Sequence, residues 1–147
     1  MQNNNFKILN QFLGGIFGGT LLGILGWTSL MTYGGNYGCF AWIDSLMGSV
    51  GYESCGSFGS MAGILIGVFL GIIILRILKI HKPQRTALFL ILLSFLIPFL
   101  IGSILLWPEK NLFFLVFPPI FAFIAASFIV SSVLTPIINW KEFFSTK

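Results

Sequence analysis

Cys39 and Cys55 are the residues of this chain whose type and spacing come nearest to chemistry of their own. They are its only two cysteines. In an oxidising compartment the pair is expected to form a disulfide, which stabilises a loop of this size by about 3 kcal/mol in the chain-entropy model. The spacing is not the Cys-x-x-Cys of a thiol oxidoreductase. No second His or Cys stands near enough in sequence to suggest a zinc site. His81, the single histidine, lies in a basic stretch without a neighbouring carboxylate or cysteine, so neither a proton relay nor a metal ligand is expected of it. The four acids, Asp44, Glu53, Glu109 and Glu142, all fall outside the long apolar runs. There is no paired-acid arrangement, no nucleophile with a base and no phosphate-binding glycine loop. The expectation is a non-enzyme with no catalytic residue, metal or cofactor, and with lipid as the molecule its surface would bind.

The elements around these residues are set by composition. Of 147 residues, 56% are hydrophobic and 8% charged, with a mean hydropathy of +0.97. Soluble domains are about 25% charged; a chain this poor in charge cannot cover a water-facing surface. A spanning helix needs roughly 20 apolar residues. Four runs qualify, at about 8–32, 59–80, 86–107 and 112–135. The first is too long and lacks the cleavage site of a secretory signal, so it reads as a retained span. The expected fold is an all-α membrane protein of four transmembrane helices in one polytopic domain, residues 1–147, with a structured outer loop at 33–58. That leaves no room for a soluble catalytic domain.

Charge sets the orientation. Lys7, Arg76, Lys79, Lys82, Arg85, Lys141 and Lys147 fall on one side with Glu142; Lys110 falls on the other with Asp44, Glu53 and Glu109. Basic residues of short loops stay inside. Both termini and the basic loop Arg76, Lys79, Lys82, Arg85 are therefore expected in the cytoplasm, with the cysteines outside, in a bacterial inner or an organellar membrane. The basic residues cluster at a membrane edge, where they attract anionic headgroups, so no nucleic-acid partner is expected.

Packing signals are stronger than chemical ones. Gly15, Gly19 and Gly23 recur at four-residue spacing, as do Gly59, Gly63, Gly67 and Gly71. Such positions share a helix face, and in a bilayer they let two backbones approach closely. They predict glycine-zipper packing of the first span against the second, with Gly14 and Gly18 widening the first groove. Pro98 is expected to kink the third span. Pro118 and Pro119 are expected at the first turn of the fourth helix, after an interfacial approach from Leu112 to Phe117. Ser127, Ser131 and Thr135 form a small polar face that should turn toward the other helices. After Pro136 the tail reads as an interfacial anchor at Trp140.

In the outer segment Tyr33-Gly34-Gly35-Asn36 is expected to turn the chain. Phe40, Ile43 and Met47 are expected on one face of a short surface helix, with Asp44 turned partly away. The outline resembles claudin-like tetraspan proteins in topology alone: Trp42 lies between the cysteines, and no Gly-Leu-Trp precedes them. No function follows from that likeness. The expected role is an accessory, assembly or structural subunit, with membrane lipids, other membrane subunits or copies of itself as partners. Alternatives are a homo-oligomeric channel or solute carrier, and a lipid-, quinone- or pigment-binding subunit.

Overall fold

The structure is a computed structural model that describes residues 2–78, 83–105 and 112–140, without the side chains at 2–4, 83, 98, 101–105 and 112–119. Among the described residues the chain forms five helices: α1 (Gln2–Tyr37), α2 (Ala41–Met47), α3 (Tyr52–Ile77), α4 (Pro83–Leu105) and α5 (Leu112–Ile138). Among the described residues three stretches are long and apolar enough to cross a membrane: Asn5–Tyr37, Tyr52–Ile77 and Ile120–Ile138. A shorter apolar stretch, Gln84–Ile97, lies in α4. The character is that of a membrane protein.

α1 is the hub. α3 lies along it most extensively, α4 and α5 also pack on it, and α5 touches both α3 and α4. Among the described residues α3 and α4 do not meet. A central helix must offer neighbours on several sides a surface they can approach, and the glycines of α1 do this on two adjacent stripes. On the first, a Cβ built on Gly18 or Gly26 would collide with the carbonyl oxygen of Gly67 or Gly59, and one on Gly63 with that of Leu22. One on Gly14 would lie 3.0 Å from the Gly71 oxygen. The pairs advance in opposite directions along the two helices, so α1 and α3 are antiparallel in fixed register.

The second stripe, Gly15, Gly19 and Gly23, takes side chains instead. A Cβ on Gly15 would lie 2.5 Å from Ser131 Oγ and 3.1 Å from Ile72; on Gly19, 2.5 Å from Val68 and 2.7 Å from Ser127 Oγ; on Gly23, 2.8 Å from Ile64 and 3.1 Å from Phe123. The groove thus receives α3 residues Ile64, Val68 and Ile72 from one side and α5 from the other. Those three form the buried apolar cluster, closed by Phe123, Ala126, Val130, Leu134 and Ile138. α5 is therefore also antiparallel to α1. α4 turns in Ala87, Leu90 and Ser94, spaced three and four apart as one helix face requires. Hydroxyls inside the helices bond back one turn, Thr20 to Ile16 O at 2.7 Å and Ser94 to Leu90 O at 2.8 Å, which satisfies them where water is absent.

Three sequence expectations are corrected. Tyr33-Gly34-Gly35-Asn36 does not turn: it is helical, because Gly34 packs on α3, where a Cβ would lie 2.9 Å from the Gly51 oxygen. The chain turns at Gly38 instead (φ 78°), and α3 already begins at Tyr52. α5 begins at Leu112, so Pro118 and Pro119 lie inside the helix rather than at its first turn. It also continues past Pro136 to Ile138. Proline has no N–H to donate there, but the next turn is held by Asn139 N to Thr135 O at 3.1 Å.

Candidate functional site

Most of the buried polar groups among the described residues gather along the α1–α5 seam. Ser127, Ser131, Thr135 and Asn139 recur every four residues on α5 and just beyond its end, and all are buried. The glycine stripe of α1 lets Ser127 and Ser131 approach. Toward the N-terminus that stripe gives way to Asn10 and Gln11, each 0% exposed. Ser131 Oγ donates to Phe12 O at 2.9 Å, joining the two helices. Asn139 Nδ2 donates to Gln11 Oε1 at 2.6 Å and to Thr135 O at 3.0 Å. Gln11 Nε2, Ser127 Oγ and Asn139 Oδ1 are buried with no hydrogen-bond partner among the described residues. Amides and hydroxyls so placed hold helices together and fix their register.

At the same end Arg76 donates from Nη1 to Ile138 O at 2.8 Å. This answers a carbonyl that the end of α5 leaves open. Arg76, Lys7 and Arg85 are exposed.

The opposite end is a clamp. Cys39 and Cys55 are joined, with S–S 2.03 Å and Cα atoms 5.6 Å apart, tying the α1–α2 connection to the first turn of α3. Ile43 of α2 is buried. The sequence reading turned Asp44 partly away; instead its Oδ1 accepts from Gly51 N at 3.2 Å and from Ser54 Oγ. A carboxylate at a helix N-terminus is favoured by the open N–H groups and by the helix dipole. Phe40 stacks on Tyr33 at 5.7 Å, and Trp42 meets Phe58 edge-on at 5.1 Å. Glu53 accepts from the Tyr52 hydroxyl at 3.3 Å.

The expected residues thus divide by place. Cys39 and Cys55 come together at one end, while Arg76 and Arg85 belong to the other half of the chain. Gly14, Gly18, Gly26, Gly59, Gly63, Gly67 and Gly71 line the α1–α3 contact, and Gly15, Gly19 and Gly23 line the groove toward α5. Lys79, His81, Lys82, Glu109, Lys110, Lys141, Glu142 and Lys147 lie outside the described residues, as do the side chains of Pro98, Pro118 and Pro119. Among the described residues no group of three or more His, Cys, Asp or Glu stands close enough to share a metal ion. Sequence reading missed Asn10, Gln11 and Asn139. The signal was there for Asn139, which continues the four-residue spacing of Ser127, Ser131 and Thr135. Asn10 and Gln11 are hidden by the polar stretch before them. No family model, curated protein or solved structure matches the chain.

Proposed function

We propose that this chain is a non-catalytic, multi-pass membrane protein that serves as an accessory, assembly or structural subunit of a larger membrane complex. One observation carries the reading: its close-packing glycines and buried hydroxyls and amides are directed at one another. What it turns outward is bulky and apolar, including Met61, Leu65 and Phe69 of α3, Leu88 and Phe89 of α4, and Phe128 and Ile129 of α5. Surfaces of that kind contact lipid tails or the helices of other subunits. In this reading the α3 ladder acts as a glycine zipper with Gly14, Gly18 and Gly26 of α1, and Gly15, Gly19 and Gly23 make room for side chains of α3 and α5. Four helices cross the bilayer, and both termini face the cytoplasm with the basic loop. Purification in mild detergent with cross-linking and mass analysis tests it. Stable co-purifying membrane subunits are expected; a chain recovered only as a lone monomer overturns the proposal.

A homo-oligomeric channel or solute carrier is the second reading, favoured by the polar line Ser127, Ser131, Thr135, Asn139. Reconstitution into liposomes with ion and small-solute flux distinguishes the two. Flux above empty liposomes supports the second reading, and silence removes it.

A further inference from the structure

We propose that Trp42 anchors α2 in the membrane, its ring seated where lipid headgroups meet acyl chains. The proposal rests on α3 crossing the bilayer. α3 carries no charge between Glu53 and Arg76. Those residues are 23 positions apart, about 34 Å along a helix, against a hydrocarbon core of about 30 Å. Charge is costly inside that core, so a helix that crosses enters hydrocarbon close to Glu53.

Trp42 reaches below that level. Its ring meets Phe58 edge-on, with centroids 5.1 Å apart, and Phe58 lies about 8 Å past Glu53 along α3. The disulfide fixes this depth, since Cys55 is two residues past Glu53 and Cys39 three before Trp42. α2 turns Ile43 into the bundle. Asp44, its only charge, is held by Gly51 N and Ser54 Oγ. Small Ala41 and Ser45 are exposed together, four apart, and so are large Trp42 and Leu46. The apolar face that α2 offers is therefore that of Trp42, not the line Phe40, Ile43, Met47 that the spacing suggests.

Continuity names the occupant. Phe58 heads the line Phe58, Met61, Leu65, spaced three and four as on one helix face, and Met61 and Leu65 are turned outward. Whatever solvates that stripe also reaches Trp42, and for a crossing helix it is lipid. An indole joins a large apolar body to one N–H, the combination that favours headgroup depth.

Tryptophan emission from the full chain in phosphatidylcholine liposomes tests the depth. Trp27, Trp107 and Trp140 are replaced by Phe; should that variant fail to fold, the emission that Trp42→Phe removes from the natural chain reports the same ring. Lipid brominated just below the headgroup should quench most of the Trp42 emission, and acrylamide in the aqueous phase little of it. Leu65→Trp, in a chain with the natural tryptophans replaced, is the control, and lipid brominated near the chain ends should quench it. If that control escapes, α3 does not cross the bilayer and the proposal falls with that reading. If the control is quenched while acrylamide, and not brominated lipid, quenches Trp42, the anchor alone is overturned and a water-exposed partner segment becomes the occupant.

Discussion

A methyl group added at Gly63 would meet the Leu22 carbonyl, a backbone atom that cannot rotate aside. The helices would have to separate, and overpacking of this kind costs about 1–3 kcal/mol. Gly18→Ala and Gly67→Ala, which face each other's backbones, should behave alike. Gly35 of α1 is the control, since its added carbon would have nothing nearer than Tyr52 Cβ at 3.9 Å. Gly35→Ala should therefore be neutral or slightly stabilising, by up to about 1 kcal/mol. Reversible unfolding in mixed micelles measures the difference. If Gly63→Ala were as harmless as Gly35→Ala, the α1–α3 contact described here would be wrong. A second residue-scale test concerns Gln11 and Asn139. Removing one amide leaves the other buried without its partner, so Gln11→Leu and Asn139→Leu should each destabilise, and the double variant by less than their sum. The expected coupling is about 0.6–2 kcal/mol, and a coupling of zero would show that the bond contributes nothing.

At the scale of the element, the clamp at the start of α3 should loosen without the bundle coming apart. The disulfide closes the α2 segment, and the Asp44 carboxylate holds the first turn of α3. Cys39→Ser with Cys55→Ser should cost about 3 kcal/mol. The loss should appear as faster amide exchange from Gly38 to Tyr52, with the centres of α1 and α3 still protected. Loss of protection throughout α1 would mean that the clamp supports the whole bundle. These elements also show what a sequence discloses. The ladders were legible because four-residue spacing is a local signal. The turn at Gly34-Gly35-Asn36 was misread because glycine pairs and asparagine mark turns, whereas here Gly34 is small so that α3 can come close. That use depends on a neighbour distant in the chain. The bond from Asn139 to Gln11 joins residues 128 apart, and no local pattern announces it. Asp44 was misplaced for the same reason, since its partners belong to the next helix.

At the scale of the whole molecule, the packing directions bear on the number of crossings. α3 is antiparallel to α1, so its Arg76 end lies beside the start of α1. α5 is antiparallel to α1 as well, since Phe123 faces Gly23 while Ser131 faces Gly15, so Asn139 returns to that same end. The chain must therefore leave the end of α3 and reach the far end of the bundle before α5 begins. α4 has 23 residues, a length of about 35 Å as a helix, which is enough to cover a hydrocarbon core of about 30 Å. Four crossings place the start of α1 and the end of α5 on one side of the membrane; three would separate them. In the function proposed above, Lys7, Arg76 and Arg85 put that side in the cytoplasm. Fluorescent-protein fusions at either end should thus both mature in the cytoplasm. In a Cys39→Ser, Cys55→Ser background, Val50→Cys should react with an impermeant maleimide in intact cells, and Arg85→Cys only after permeabilisation. Termini on opposite sides would remove α4 as a crossing helix and, with it, the antiparallel seam of α1 and α5 on which the buried amides depend.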